Sequence, residues 1–438
     1  MRADKLHRIV WFGLLASVIL SCNVLENIAT PIPPTGVQPS VTSSATAAST
    51  TATVNSTTQT PVPPTAIQGP VIAHLSEGQA IDVGYIHMVD TSQGWGIGGL
   101  AQARDHVFRT QTGGLTWRDI TPPEPAPAAG TAIDALGFFA DSSHGWVVYY
   151  PADPASFPSA VRVWFTADGG ASWMYGVIDT SGVPAEFFTP LYLYFSGSQN
   201  GWLLVGVGAG MNHAYVVLYS TRDGGKTWTD ILDPSTGLNI QSFSKTGMVF
   251  VNAQTGWLTR DAQGVDSTPH IFNTQDGGVS WTRIDLPAPA GTNGWFDNNS
   301  CGTYSPVAFS AQSVFVSTMC LDNATFKVEQ DFLYSTSDGG QTWQSFPLPS
   351  GFKVADPPAG GLFFTDMQNG LALGRWIYRT DNGGKTWSTV KQVNWDGQFS
   401  FVDINTGWAV ASNAGQLALV RTVDGGGTWK EIQPVVAP

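Results

Sequence analysis

From about residue 80 to its end, the chain alternates short apolar runs with polar, glycine-bearing turns, spaced too tightly for helices. An apolar strand, a polar turn and a Gly-Trp pair opening the next strand recur together, as in MVDTSQGW ending at Trp95. The Gly-Trp pair returns at Trp146, Trp202, Trp257 and Trp408, while Val314-Phe315 and Gly370-Leu371 hold its place in the two remaining units. Every unit then closes on a second signature of the form Thr-x-Asp-Gly-Gly-x-Thr-Trp. The seven copies end at Trp117, Trp173, Trp228, Trp281, Trp343, Trp387 and Trp429, each seven residues after its Thr.

The second signature has the chemistry of a hairpin turn. The Asp side chain can cap turn N–H groups, the paired glycines supply positive φ, and the Trp packs on the flanking strand. Thr112 and Asn382 stand at the Asp position in the first and sixth copies, where looser turns are expected. Each unit supplies four strands: A before the Gly-Trp turn, B after it, C ending at the box Thr, and D from the box Trp. Seven four-stranded sheets repeating at roughly 50 residues close into a ring. The expected fold class is all-β, a seven-bladed β-propeller spanning residues 71–438.

Composition changes the picture mainly at the N-terminus. Arg2, Lys5 and Arg8 precede the apolar run Ile9 to Leu20, twelve residues where a membrane span takes roughly 20, so residues 1–21 read as a signal peptide. The stretch Ile19-Leu20-Ser21-Cys22 resembles the bacterial lipobox, which implies lipidation of Cys22 and an exported protein anchored to the outer face of the cell membrane. Simple secretion with an incidental cysteine is the alternative. From Asn27 to Ser76 there is no Asp, Glu, Lys or Arg, and Pro, Ser, Thr and Ala dominate. Residues 22–70 are therefore expected to be a disordered, partly extended linker, on the order of 40 to 140 Å long. Cys301 and Cys320 remain, an even pair placed to face each other across neighbouring strands, and a disulfide is expected; two buried free thiols are the alternative.

The formal charge is -13; Arg2, Lys5 and Arg8 against Asp4 give the first 21 residues +2, leaving -15 on the rest. Such a body is repelled by phosphate backbones and anionic lipid surfaces, so no nucleic-acid partner is expected and the membrane is met through the lipid alone. The seven histidines show no ligand spacing, and no cofactor or metal is expected.

The box form resembles the bacterial neuraminidase repeat, or Asp-box. The alternation of the Gly-Trp and TxDGGxTW signatures over about residues 80 to 432 is similar to the photosystem II assembly and stability factor family, which are seven-bladed Asp-box propellers. That resemblance implies chiefly structural roles for the motif residues and a binding or assembly activity rather than catalysis.

Loop lengths indicate where binding would sit. The C-to-D turns are constant, whereas the interval from a box Trp to the next Gly-Trp position runs from 21 to 34 residues and that from Gly-Trp to the box Trp from 16 to 28. Variation therefore falls on the face of the D-to-A and B-to-C loops. Trp295, in the insertion AGTNGWFDNNSCGTYS, and Trp395, in QVNWDGQF, lie outside the repeat pattern on that face. Together with Trp376 they are candidates for an aromatic platform that binds a sugar or a protein, with inter-blade packing as the alternative. Arg260 and Arg375 are the cationic candidates there. Arg109, Arg379 and Arg421 each precede a box Thr and could form an anion-binding stripe or lie as ordinary strand residues. The expected function is a tethered monomeric scaffold for protein or glycan partners. An exo-acting sialidase-type glycoside hydrolase is the alternative; it would need converging arginines and a Tyr–acid pair, which Asp153, Glu186, Asp261 and Asp297 do not form by spacing.

Overall fold

The glycine of each Gly-Trp pair is explained by what stands across from it. A Cβ on Gly201 would lie 2.3 Å from the ring of Phe195, and on Gly256 2.5 Å from the ring of Phe250, both at the end of the neighbouring strand A. Because the glycine yields that space, the Phe ring turns to face the Trp of the preceding blade. Trp95 stacks on Phe139 at 4.7 Å, Trp146 on Phe195 at 3.8 Å, and Trp202 on Phe250 at 3.6 Å. Phe315 replaces the Trp in blade 5 and stacks on Phe364 at 4.3 Å. Each such ring pair contributes about 0.5–1.5 kcal/mol beyond the area it buries.

The computed structural model describes residues 69–153, 158–183, 185–210, 213–237, 240–261, 268–352 and 361–437. The signal segment, Cys22 and the linker up to residue 68 lie outside the described residues. Seven antiparallel sheets follow one another in the order A-B-C-D, as in blade 1 with Asp82–Met88, Gly94–Gly99, His106–Thr110 and Thr116–Asp119. The later blades cover 133–179, 189–232, 245–285, 299–347, 361–392 and 396–432. First strands of most successive blades lie against one another, and blade 7 returns to blade 1 through Asp396–Phe401 against Asp82–Met88, so the A strands are innermost and the chain is an all-β seven-bladed propeller. The apolar clusters sit between blades rather than at one centre, as where Trp202, Leu204, Phe250 and Trp281 join blades 3 and 4. Both faces of each sheet are thus covered, which is why the B strand Gly94–Gly99 is buried at every position instead of alternating.

Blade 1 departs from the expected four strands. Val435–Val436 adds a fifth, pairing in parallel with strand D through Val435 opposite Thr116 and Val436 opposite Trp117. A bare D strand leaves its outer N–H and C=O groups unpaired, and here the last residues of the chain cover that edge. Ile81 N–H donates to Pro434 O and Gly78 N–H to Val436 O, so the same segment ties the two ends of the propeller chain. On the inner side Gln398 Oε1 and Ser400 Oγ of blade 7 accept from the backbone N–H groups of Ile86 and Met88.

The box turns share one hydrogen-bond scheme. In blade 2 Asp168 Oδ1 accepts from Ser172 N–H at 2.9 Å and Oδ2 from Ser172 Oγ at 2.5 Å, while Thr166 Oγ1 accepts from Gly170 N–H at 3.0 Å. The turns of blades 1 and 6 are no looser. Thr112 Oγ1 accepts from Thr116 N–H at 2.8 Å and Asn382 Oδ1 from Thr386 N–H at 3.0 Å, so a neutral oxygen at that position caps the turn as the carboxylate does.

Candidate functional site

The loop ends of blades 4 and 5 bring Arg260 together with groups that sequence spacing did not pair. Arg260 ends strand Gly256–Arg260 and is 1% exposed. Its Nη1 donates to Asp261 O at 3.1 Å, its Nη2 lies 3.1 Å from His270 Nδ1, and its guanidinium covers the Phe243 ring at 4.1 Å. Lys245, buried at the start of the adjacent strand, donates from Nζ to Ser242 O and Phe243 O at 2.9 and 2.5 Å. Burial, and then the Arg260 charge, push its ammonium down to about 7. Phe243 has φ 56°, a left-handed conformation that costs a bulky residue on the order of 1–3 kcal/mol. The cation over its ring and the ammonium at its carbonyl hold it there. Tyr304 Oη donates to Asp261 Oδ1 at 2.6 Å and Thr303 Oγ1 to His270 O at 2.9 Å, joining blade 5 to blade 4. Tyr304 and His270 are as buried as Arg260. This polar cluster therefore faces inward and acts on the seam between two blades.

Trp295 opens a single-turn helix, Trp295–Asn298, and lies half-buried with its ring edge-on to Phe332 at 5.5 Å. It packs in a cluster with Leu286, Tyr334, Cys301 and Cys320. The two cysteines stand directly opposite in strands Asn299–Ala308 and Val314–Asp322, with Cα atoms 4.1 Å apart, and are joined by a disulfide. Beyond it, the turn from Asp322 to Val328 is tied at several points. Asp322 Oδ1 accepts from Thr325 N–H and Oγ1 at 2.7 Å each, Phe326 N–H donates to Asp322 O at 2.8 Å, and Ser300 Oγ donates to Asn323 Oδ1 at 2.7 Å. At the tip Phe326 is 77% exposed with φ 55°. A bulky apolar residue held outward in a strained conformation by a tied loop is the feature of this face that sequence reading missed. The Asp-x-x-Thr turn signal was present, but nothing in the string tells an outward Phe from a buried one.

The remaining candidates gather at blades 6 and 7. Trp395 is half-buried, edge-on to Trp429 at 5.5 Å and beside Phe399 at 5.7 Å. Trp376 lies along Tyr378 at 6.2 Å, with Gly351 close enough that a Cβ there would meet its ring at 2.9 Å. Arg375 makes a two-pronged pair with Asp396, Nε to Oδ1 at 2.8 Å and Nη2 to Oδ2 at 2.7 Å. Both partners are more than half exposed, so solvent screens the pair and it adds little to stability. It holds Asp396 below the usual carboxylate range. The structure thus splits the predicted residues into a group of Arg260 and Trp295 and a group of Trp376, Arg375 and Trp395, most of whose contacts are with their own or the adjoining blade.

On the opposite face the three box-preceding arginines work as stitches between blades. Arg109 lies over Trp95 at 5.5 Å and donates from Nη1 to Gly169 O, in the next blade's box, at 3.2 Å. Arg421 covers Trp408 at 4.8 Å beside Gly113 of blade 1, and Arg379 donates to Asn405 Oδ1 of blade 7 at 3.2 Å. Among the described residues no group of three or more His, Cys, Asp or Glu is arranged to hold a metal ion, and no helix is long and apolar enough to cross a membrane.

Fold and site geometry together define a seven-bladed β-propeller with one hydrogen-bonded turn face and one face of variable loops. No protein-family model matches the chain, and no curated protein matches it. Among solved structures it is similar to YCF48 from Cyanidioschyzon merolae, at 15% identity and TM-score 0.45 over 81% of this chain and 98% of that one. It is also similar to the polysaccharide lyase Uly1, at 12% identity and TM-score 0.47 over 83% of this chain and 94% of that one. The GH74 enzyme of Niastella koreensis matches at 13% identity and TM-score 0.32 over 81% of this chain and 62% of that one.

Proposed function

We infer that the protein is an exported, lipid-anchored propeller that serves as a binding or assembly scaffold, engaging a protein or glycan partner through its loop face. The observation that carries this reading is the blade 5 loop, where Phe326 is held outward beyond the Cys301–Cys320 bridge. A rigid exposed aromatic loses little entropy on docking and fits the pocket of a protein partner better than a flexible side chain would. The repeat resemblance to assembly factors supports the same reading, and the acidic, uncharged-linker sequence supports a body held away from the membrane surface. A hydrolase of sialidase type needs its arginines and its Tyr–acid pair within reach of substrate. The burial of Arg260 and Tyr304, at 1% and 2% exposed, speaks for the scaffold instead.

The test uses the full chain in its native membrane. Cys22→Ser is expected to release the protein from the membrane fraction, and capture of partners by the wild type is expected to be lost in Phe326→Ser while folding is unchanged. Fluorogenic glycosides are assayed in parallel. Turnover that disappears on replacing Asp261 or Asp297 would install the hydrolase, and undiminished capture by Phe326→Ser would remove the blade 5 loop from the binding face.

A further inference from the structure

A second site, independent of the loop face, lies on the box face between blades 1 and 2. A cleft of about 440 Å³ opens there, lined by Arg109, Arg118, Gln111, Thr112 and Thr116 of blade 1 and by Asp168 of blade 2, among others. This volume falls within the range of small-ligand sites, about 300–1,000 Å³. Arg109 and Arg118 stand directly opposite one another on strands C and D. Two like charges in that relation repel, and Arg118 lowers the pKa of Arg109, after burial and against the pull of Asp141. The Arg109 guanidinium is oriented by Gly169 O and Gln93 Oε1, with its Nε buried and without a partner. Arg118 is exposed and makes no hydrogen bond or ion pair among the described residues, and neither does the Gln111 amide. Asp168, whose oxygens accept from Thr166 and Ser172 in its own turn, is the one carboxylate of the lining and leaves two guanidinia against a single negative charge.

The other six blades provide an internal comparison. At the same two positions they carry Phe165 and Met174, Ser220 and Thr229, Asn273 and Thr282, Ser335 and Gln344, Arg379 and Ser388, and Arg421 and Lys430. The one other doubly basic pair, in blade 7, keeps its box carboxylate, Asp424. Blade 1 alone combines two arginines with a box that has lost both the acid and its amide substitute. The turn does not need the change, since Thr112 caps it as Asp does elsewhere. Its effect is on charge: a carboxylate is removed from the wall of the cleft where two guanidinia meet, in a protein whose net charge is -13.

The geometry points to a binding site for the carboxylate of a small acidic sugar in this cleft. Guanidinium groups recognise a planar carboxylate through paired N–H donors. The Gln111 amide suits the hydroxyl groups of a sugar ring. Among the lining residues the apolar ones are only as large as alanine, which leaves an acidic peptide little to hold beyond its charge.

The experiment titrates the full chain with glucuronate, glucose and a glutamate-rich peptide by calorimetry, in wild type, Arg118→Ala, Thr112→Asp and Asn382→Asp. Thr112→Asp restores the residue found in five other boxes, so its fold is safe, and an unfolding midpoint no lower than wild type checks that. Glucuronate is expected to bind the wild type and Asn382→Asp alike, and to bind Arg118→Ala and Thr112→Asp about tenfold more weakly or worse, while glucose does not bind. Absence of glucuronate binding, equal binding by glucose, or unchanged affinity in Thr112→Asp would overturn the site, and tighter binding of the peptide would overturn the sugar as its ligand.

Discussion

Replacing Gly256 by alanine tests the account of the Gly-Trp signature, because two opposing effects of known size meet there. Gly256 has ordinary negative φ, so the backbone accepts alanine, and the loss of unfolded-state freedom alone would stabilise the protein by about 0.4–1 kcal/mol. Against this, the new Cβ would lie 2.5 Å from two ring carbons of Phe250. That ring is 2% exposed, lies flat on Trp202 at 3.6 Å with planes 3° apart, and meets the edge of Trp281 at 6.0 Å. It has nowhere to go without parting the stack between blades 3 and 4. Overpacking of this kind costs about 1–3 kcal/mol, so the clash wins and the net effect is destabilising. With an unfolding entropy of about 2.1 cal/mol/K per residue over the propeller, the net loss after that offset is expected to lower Tm by about 2 °C and by no more than ~3 °C. Gly182→Ala is the control: no atom lies within 4 Å of its Cβ position, and its φ is ordinary, so a small rise is expected. Both variants are compared with wild type by guanidinium unfolding followed through tryptophan fluorescence. A Gly256→Ala midpoint equal to or above that of Gly182→Ala would refute the steric account of the glycine.

Three further outcomes follow from local geometry. Reducing Cys301–Cys320, or replacing both cysteines by serine, opens a loop of separation 19 and is expected to remove about 3 kcal/mol; identical unfolding midpoints with and without dithiothreitol would count against it. The Asp338 carboxylate is held down to about 2, from 3.8, first by the Thr342 hydroxyl and then by the Thr342 N–H. A depressed carboxylate stabilises the fold above its unfolded pKa and loses that contribution as pH falls through the folded one. The unfolding midpoint is thus expected to drop between pH 4 and 2, with a shallower drop in Asp338→Asn, and parallel curves would contradict the linkage. Burial in strand A of blade 1 pushes the His87 imidazole from 6.5 down to about 4, so the folded state favours its neutral form and loses stability as pH falls below 6.5 toward 4. Its ring is expected to remain neutral at pH 5 by NMR, and titration near 6.5 would show that it is solvated.

The sequence made the propeller legible because its cues are local and repeated. Each box holds its turn by hydrogen bonds within seven residues, and the glycine of each Gly-Trp pair answers to a bulky residue six positions earlier, Met88 for Gly94 and a Phe in the others, as Gly201 does to Phe195. The candidate site was less legible because its residues belong to neighbours far along the chain. Trp395 was singled out as a tryptophan outside the pattern, and its partner is the box Trp429 of its own blade. Arg375 looked isolated, yet Asp396, 21 residues on, meets it in the adjoining blade. Phe326 and the Arg109–Arg118 cleft went unread, the first because exposure is not written in a residue's type, the second because strand register alone sets those two arginines opposite each other.

Repeat number, turn chemistry, the apolar content of each strand and the place of the variable loops were therefore determined by the sequence itself, through interactions spanning fewer than about ten residues. Closure of the ring was decided only in three dimensions. There the tail strand Val435–Val436 found the open edge of blade 1, and Gln398 and Ser400 reached amides more than three hundred positions away. Tertiary structure also decided which polar groups remain available for a ligand. A charge such as Arg260 is consumed when packing brings His270, Phe243 and Asp261 around it, and a charge such as Arg118 is left over when nothing does. The physical reason is that a blade buries both its faces against its neighbours, so the fate of each side chain depends on residues that no spacing within its own repeat can specify.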